Sequence, residues 1–192
     1  MRTLIDSHVH LCDPGSVENL VKISDAIGAQ QIGLASIADK NNVNDNPLFY
    51  WTKWKYPEKF YAFAALDHSA QSVDGKIEIP SYLEQVKKAV EIGADGIKLL
   101  ETKPDRRKWV NIPIDSPEYE PMFAYLEDAG IPIIWHVADP EEFWDPETTP
   151  GWAKENNWGY DETFVQKEQF YTEVENVMQR HPLLKAVFAH FF

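Results

Sequence analysis

The chain has 192 residues, of which 44% are hydrophobic and 13% aromatic, so it can bury a substantial core and is too apolar to be disordered. Its formal net charge of −13 argues against nucleic-acid partners and anionic membrane surfaces, because Lys and Arg hold phosphate groups. A small anionic substrate is not excluded, since a bound metal ion can supply local positive charge.

Cysteine content and the absence of long apolar runs indicate the compartment. The single cysteine, Cys12, excludes an internal disulfide and fits a reducing environment. It follows His10 by two residues, so it is either a soft extra metal ligand or, as we favour, a small buried residue at a loop start. No apolar run reaches the roughly 18 residues of a membrane span. Because Met1 leads directly into the predicted first strand, we expect no signal peptide. We expect a soluble, cytoplasmic protein.

Along the chain, apolar and amphipathic segments alternate in a regular way. The predicted strands, which are almost continuously apolar, are 4–11, 31–37, 60–67, 96–100, 131–139 and 184–190. The predicted helices are 17–27, 48–56, 82–92, 118–128 and 163–181. The segments predicted as loops are 41–47, 68–80, 101–117 and 140–160.

This alternation is typical of parallel βαβ units. Neither a Gly-x-Gly-x-x-Gly fingerprint after the first strand nor a Walker A sequence is present, so a nucleotide-binding fold has no support. We predict an α/β fold of the (β/α)8 TIM-barrel type, with about six βα units in a single domain over 1–192. In such a barrel, polar residues at the carboxyl ends of the strands line the active site.

Five residues with suitable chemistry fall in the predicted strands. His8 and His10 are two residues apart in the first strand, so they share a face and are suited to hold one divalent cation. Lys98 lies within the fourth strand, and His136 and His190 end the fifth and sixth. Taken singly, the histidines could be structural and Lys98 could reach a carboxylate at the surface. Their shared position at successive strand ends favours a common site.

These segments together resemble the metal-dependent hydrolases of the amidohydrolase superfamily, in particular its amidohydrolase-2 group, which contains hydrolases and decarboxylases. The resemblance covers essentially the whole chain. The segments that carry it are His8-Val9-His10, Pro57-Glu58-Lys59-Phe60-Tyr61-Ala62, Gly96-Ile97-Lys98-Leu99, Gly130-Ile131-Pro132-Ile133, Trp135-His136 and Ala189-His190.

The resemblance implies a metal at the carboxyl-end mouth of a distorted barrel, with His8, His10 and His136 as ligands. It makes His190 either a ligand to a second metal or a polarising and proton-transferring residue. Lys98 matches the position that is carbamylated in two-metal members, so His190 and Lys98 are the candidate catalytic residues. Zinc is the first expectation, with manganese or iron as alternatives. Such an ion lowers the pKa of a bound water towards 7 and polarises a carbonyl.

The function implied is hydrolysis of a C–N or ester-like bond of a small molecule by a metal-activated water. The alternatives are a metal-dependent decarboxylase or hydratase, and a catalytically inactive barrel fragment that serves as a binding or scaffold protein. A homo-oligomer is also an expectation. The family's aspartate at the end of strand eight has no match here, since neither Asp67 nor Asp139 has that position. We therefore expect the chain to be a piece of a protein of roughly 280 to 300 residues with a closed eight-stranded barrel.

Two further segments would border this mouth. The aromatic segment 143–160 is predicted to form a lid or pocket wall, or alternatively a loop that packs on itself or contacts another subunit. The basic run, which consists of Lys103, Arg106, Arg107 and Lys108, could attract a carboxylate, although a solvated loop is the preferred interpretation.

Overall fold

The computed structural model of the chain describes residues 4–38, 44–69, 71–73 and 76–190. The strands in these ranges are β1 (Leu4–Val9), β2 (Ala29–Ala35), β3 (Phe60–Ala65), β4 (Gln71–Val73), β5 (Lys76–Glu78), β6 (Gly96–Thr102), β7 (Ile133–Val137) and β8 (Ala186–Ala189). The α-helices are α1 (Val17–Ile27), α2 (Asn46–Lys55), α3 (Tyr82–Ile92), α4 (Pro104–Val110), α5 (Glu120–Asp128), α6 (Gly151–Glu155) and α7 (Lys167–Arg180). Short 3₁₀ turns occupy Pro14–Ser16 and Glu141–Trp144.

Six strands form one parallel sheet whose spatial order, β1-β2-β3-β6-β7-β8, follows the chain. β6, in the middle of the sheet, is buried along its whole length. A parallel sheet of this order, with helices in the connections, is the arrangement of a (β/α) barrel. The predicted α/β class and six strands are confirmed.

The sheet is strongly curled. β1 and β8 are its outermost strands, five inter-strand spacings apart, which in a flat sheet would separate them by about 24 Å. The ring centroids of His8 in β1 and His190 directly after β8 are nevertheless only 6.4 Å apart. The carboxyl ends of the strands therefore converge on one region, as at the mouth of a barrel.

The largest core lies between the outer face of the sheet and α3, α5 and α7. Alternating residues of β6, Ile97 and Leu99, point into it. Trp135 of β7 is fully buried there and stacks on Phe123 of α5, with ring centroids 5.4 Å apart. This packing holds β6 and β7 in place. Because side chains alternate along a strand, the residue that follows each of these core residues faces the inside of the curled sheet.

Helix boundaries follow from local sequence signals. Gly28 adopts the left-handed conformation, φ 76°, that ends α1, as predicted. Ser81 caps α3, because its side-chain oxygen accepts a hydrogen bond from the Glu84 amide at 3.2 Å and the Glu84 carboxylate accepts one from the Ser81 amide.

Three predicted loops are wrong in part. Segment 101–117 contains α4, which begins at a proline, a residue that is tolerated in the first turn of a helix. Segment 68–80 contains the antiparallel pair β4 and β5, and 140–160 contains a 3₁₀ turn and α6. These elements are too short to show a clear period. Residues 1–3, which precede the predicted first strand, lie outside the described residues, as do part of the predicted loop 41–47 and Phe192. None of the helices in the described ranges is long and apolar enough to cross a membrane.

Candidate metal centre

The first two histidines lie where β1 ends. His8 is in the strand and His10 directly follows it, and their rings are 4.8 Å apart, edge to face. Nδ1 of His10 lies 2.6 Å from the carbonyl oxygen of Ala35, the last residue of β2, so Nδ1 donates there and Nε2 keeps its lone pair. Nε2 of His8 is buried and has no hydrogen-bond partner among the described residues. Each ring therefore offers one nitrogen to a ligand.

The other two histidines lie at the ends of β7 and β8. The rings of His136 and His190 are 4.6 Å apart, and His190 in turn approaches His8, so the four imidazoles form one continuous cluster. The backbone is left-handed at His190, φ 66°, and at Ala138, φ 55°, directly after the two strands. Non-glycine residues in this conformation are strained, and strained backbone is concentrated at functional sites.

The four imidazole rings are not arranged around one common position for a metal ion. In the part of the chain that the structure describes, no three His, Cys, Asp or Glu side chains stand together in an arrangement that would hold a metal ion. The donor chemistry nevertheless fits a divalent cation. Burial, reinforced by the positive charge of Lys98, lowers the pKa of His8 to about 4, so its ring is neutral at pH 7 with a lone pair available. Ring rotations within the cluster would be needed to bring the nitrogens onto one ion.

Lys98 is buried beside this cluster. The residue is 1% exposed, and its Nζ has no hydrogen-bond partner among the described residues, so it does not reach a surface carboxylate. Burial lowers the pKa of Lys98 to about 8, against a smaller opposing effect of the Glu101 charge. An amine of this pKa is partly neutral near pH 8, which is the form that carbamylation requires.

Replacing Lys98 with Met is expected to stabilise the metal-free protein at pH 7. The lowered pKa, about 8 against 10.5, corresponds to a destabilisation on the order of 3 kcal/mol when the amine is charged. Because the unfolded chain binds this proton more tightly, the wild-type free energy of unfolding should rise as the pH increases from about 8 to 10.5. Urea unfolding of both proteins in CO₂-free buffer measures this. An identical pH dependence in wild type and Lys98→Met would contradict the burial of the amine.

A buried hydrogen-bond chain fixes the end of β7. The Thr102 hydroxyl donates to the His136 carbonyl at 2.5 Å and accepts from the Trp135 indole N–H at 3.0 Å. The Thr102 carbonyl accepts from the Ala138 amide at 3.0 Å. The backbone that carries His136 is thereby held to the neighbouring strand β6.

Asp139 is a site residue for which the sequence predicted no role beyond noting that it does not have the strand-eight position. Its Oδ1 lies 2.9 Å from Nε2 of His136, and its Oδ2 accepts from Nζ of Lys103 at 2.9 Å and from the Tyr160 hydroxyl. Burial alone would raise the pKa of Asp139, but the His136 hydrogen bond and the Lys103 charge outweigh it and lower that pKa to about 2. The one local signal in the sequence is the spacing of three residues after His136.

A cavity of about 540 Å³ opens beside the cluster. His10, His136 and His190 line one part of it, and the aromatic side chains of Phe143, Trp152 and Trp158 line another. The aromatic segment therefore forms a pocket wall, as predicted. It also packs on itself around a small buried cluster, so the two interpretations of this segment hold together.

The basic run is not a solvated loop. Arg107 is buried and paired with Glu173, and Lys108 donates to the Thr163 hydroxyl at 2.6 Å. Only Lys103 and Arg106 of the four basic residues line the cavity. Lys103 is already paired with Asp139, and Arg106 donates to the Ala38 carbonyl and lies over Trp109.

The favoured interpretation of Cys12 is wrong. The residue is exposed, and its thiol lies 3.5 Å from an Asp45 carboxylate oxygen. The preceding residue, Leu11, is buried in the core, whereas the Cys12 side chain contacts Asp45.

Solved structures that resemble this chain share its TIM-barrel-type fold. A 5-carboxyvanillate decarboxylase from Sphingomonas paucimobilis is 15% identical, with a TM-score of 0.61 over 98% of this chain and 67% of that one. A 4-oxalomesaconate hydratase from Rhodopseudomonas palustris is 17% identical, with a TM-score of 0.58 over 98% and 63%. A dihydroxybenzoic acid decarboxylase from Polaromonas, with bound manganese and an inhibitor, is 15% identical, with a TM-score of 0.56 over 99% and 66%.

At these identities the likeness is one of fold. The chain spans 67%, 63% and 66% of the length of these three solved structures. No family model and no curated protein sequence matches it.

Proposed function

We propose that this chain belongs to the amidohydrolase superfamily, in its amidohydrolase-2 group, and holds a divalent cation at the histidine cluster. The observation that carries the proposal is the convergence of four imidazoles at the carboxyl ends of β1, β7 and β8 in a TIM-barrel-type sheet. His8, His10 and His136 would hold the ion. His190, one ring further along the cavity, would exchange a proton with the substrate.

The reaction that we favour is decarboxylation or hydration of a small carboxylic acid. Three solved structures of the same fold are named as enzymes of these two kinds. The cavity suits such a substrate, because aromatic side chains offer flat apolar surfaces and Arg106 retains N–H donors beyond the one that bonds Ala38. Hydrolysis of a C–N or ester-like bond is the second candidate, supported by the buried amine of Lys98 at the position that two-metal hydrolases carbamylate.

A divalent cation in this site would supply Lewis acidity towards a substrate oxygen. The residues of the chain would do the rest. Imidazole ligands in their uncharged form would leave the ion its full positive charge, and the wall that Phe143, Trp152 and Trp158 form would limit the access of water from one side of the cavity. Manganese is present in two solved structures of this fold, and zinc remains the prediction from the histidine ligands.

An assay of the purified protein with added manganese or zinc separates the two reactions. We expect release of carbon dioxide from aromatic carboxylic acids, or addition of water to an unsaturated acid, which stops when the metal is removed with a chelator. The same preparation is tested on amides and esters of matching size. Release of an amine or an alcohol without either lyase reaction would show that the hydrolase assignment is the correct one.

A further inference from the structure

The side chain of Asp139 determines which nitrogen of His136 carries a proton. A carboxylate can only accept, so Nε2 of His136, 2.9 Å from Oδ1, must be the protonated nitrogen. In the neutral ring the lone pair then resides on Nδ1. Nδ1 is therefore the His136 atom that can bind a cation.

The carboxylate itself is held from the other side. Its Oδ2 accepts from Nζ of Lys103, 2.9 Å away at the start of α4, and from the hydroxyl of Tyr160, which follows α6. The Asp139 side chain is 8% exposed, and the left-handed Ala138 turns the chain between it and the strand. Three separate segments thus meet on one carboxylate, and the two donors leave only Oδ1 for the histidine.

We propose that Asp139 is a positioning residue that fixes His136 as its Nε2–H tautomer, with Lys103 and Tyr160 holding the carboxylate in place. This inference rests on the proposed metal site, since it concerns one of the proposed ligands. Carboxylates that hold a metal-binding histidine in this way commonly increase metal affinity by about 10- to 100-fold. The aromatic segment, which carries Tyr160, is thereby joined to the metal centre.

The substitution Asp139→Asn gives a definite expectation for the tautomer. Both Lys103 and Tyr160 donate, so they hold the amide oxygen of the variant on their side. The amide NH₂ then faces His136 and donates to Nε2, which moves the ring proton to Nδ1. That nitrogen loses its lone pair, and we expect the affinity for zinc and manganese to fall by about 10- to 100-fold.

Nitrogen NMR of the histidine rings in the metal-free protein, at about pH 8 where an ordinary histidine is neutral, reports the tautomer. Metal competition with a chromophoric chelator reports the affinity. Asp105→Asn is the matched control, because Asp105 also contacts Lys103, at 3.3 Å, but is half exposed and forms no hydrogen bond to a histidine in the described ranges. It should change neither quantity. Tyr160→Phe should keep the tautomer and weaken metal binding less than Asp139→Asn does.

An Nδ1–H tautomer of His136 in the wild-type protein would overturn the inference, and this measurement requires no variant. A changed tautomer in Asp139→Asn together with wild-type metal affinity would also overturn it. Unchanged metal affinity in Tyr160→Phe would remove that hydroxyl from the positioning role. A wild-type protein that binds neither metal would contradict the proposed function instead. The tautomer in the metal-free protein would still decide what Asp139 does to His136.

Discussion

His8→Ala and His136→Ala are each expected to abolish tight binding of a divalent metal. The loss should be at least about 100-fold, because removing a ligand costs more than the 10- to 100-fold of removing a residue that supports one. Both imidazoles contact other histidine rings at the strand ends and not the apolar core between the sheet and α3, α5 and α7, so both variants should fold. Metal analysis after dialysis measures the loss, and circular dichroism with thermal unfolding checks the fold.

A buried histidine outside the cluster provides the control. His181, at the end of α7, is paired with Glu120 at 3.0 Å and Glu127 at 3.2 Å. His181→Gln should alter stability and keep the metal. Wild-type metal content in both His8→Ala and His136→Ala would refute the assignment of these residues as ligands.

Glu173→Gln is expected to give the largest loss of stability, about 3 to 5 kcal/mol, because it leaves the buried charge of Arg107 without its partner. The two side chains are each 5% exposed, and Nη2 of Arg107 lies 3.3 Å from Oε1 of Glu173. The same carboxylate accepts from the Ile114 amide at 3.1 Å and from Gln169 at 2.9 Å. This pair holds α4, which borders the cavity, against α7.

Chemical unfolding monitored by tryptophan fluorescence gives the free energy of unfolding for this variant. The matched control is Glu175→Gln, an exposed glutamate on the same helix, which should change that free energy by no more than about 0.5 kcal/mol. Equal denaturant midpoints for Glu173→Gln and Glu175→Gln would show that Glu173 does not stabilise the buried charge of Arg107.

The sequence predicted the features that depend on local periodicity. The six strands, the helix end at Gly28 and the cap at Ser81 are encoded by neighbouring residues, so their positions could be found within a few residues. The histidines could be placed at one end of the sheet because each follows or ends an apolar strand. The parallel topology then brought them together.

What could not be predicted depends on partners far apart in the chain. Tyr160 bonds Asp139 across 21 positions, and Glu173 pairs with Arg107 across 66. No local pattern in the sequence distinguishes these residues from ordinary polar or charged residues at the surface. The helix α4 was missed for a different reason, since a seven-residue helix that starts at Pro104 shows too few turns for its period to be recognised.

The most direct test of the metal centre is the divalent metal content of the purified wild-type protein. Metal is measured first as isolated, and again after the stripped protein is incubated with zinc or with manganese and dialysed. We expect stoichiometric uptake of at least one of these ions, dependent on His8 and His136. A protein that carries no divalent metal as isolated and takes up neither ion would contradict it.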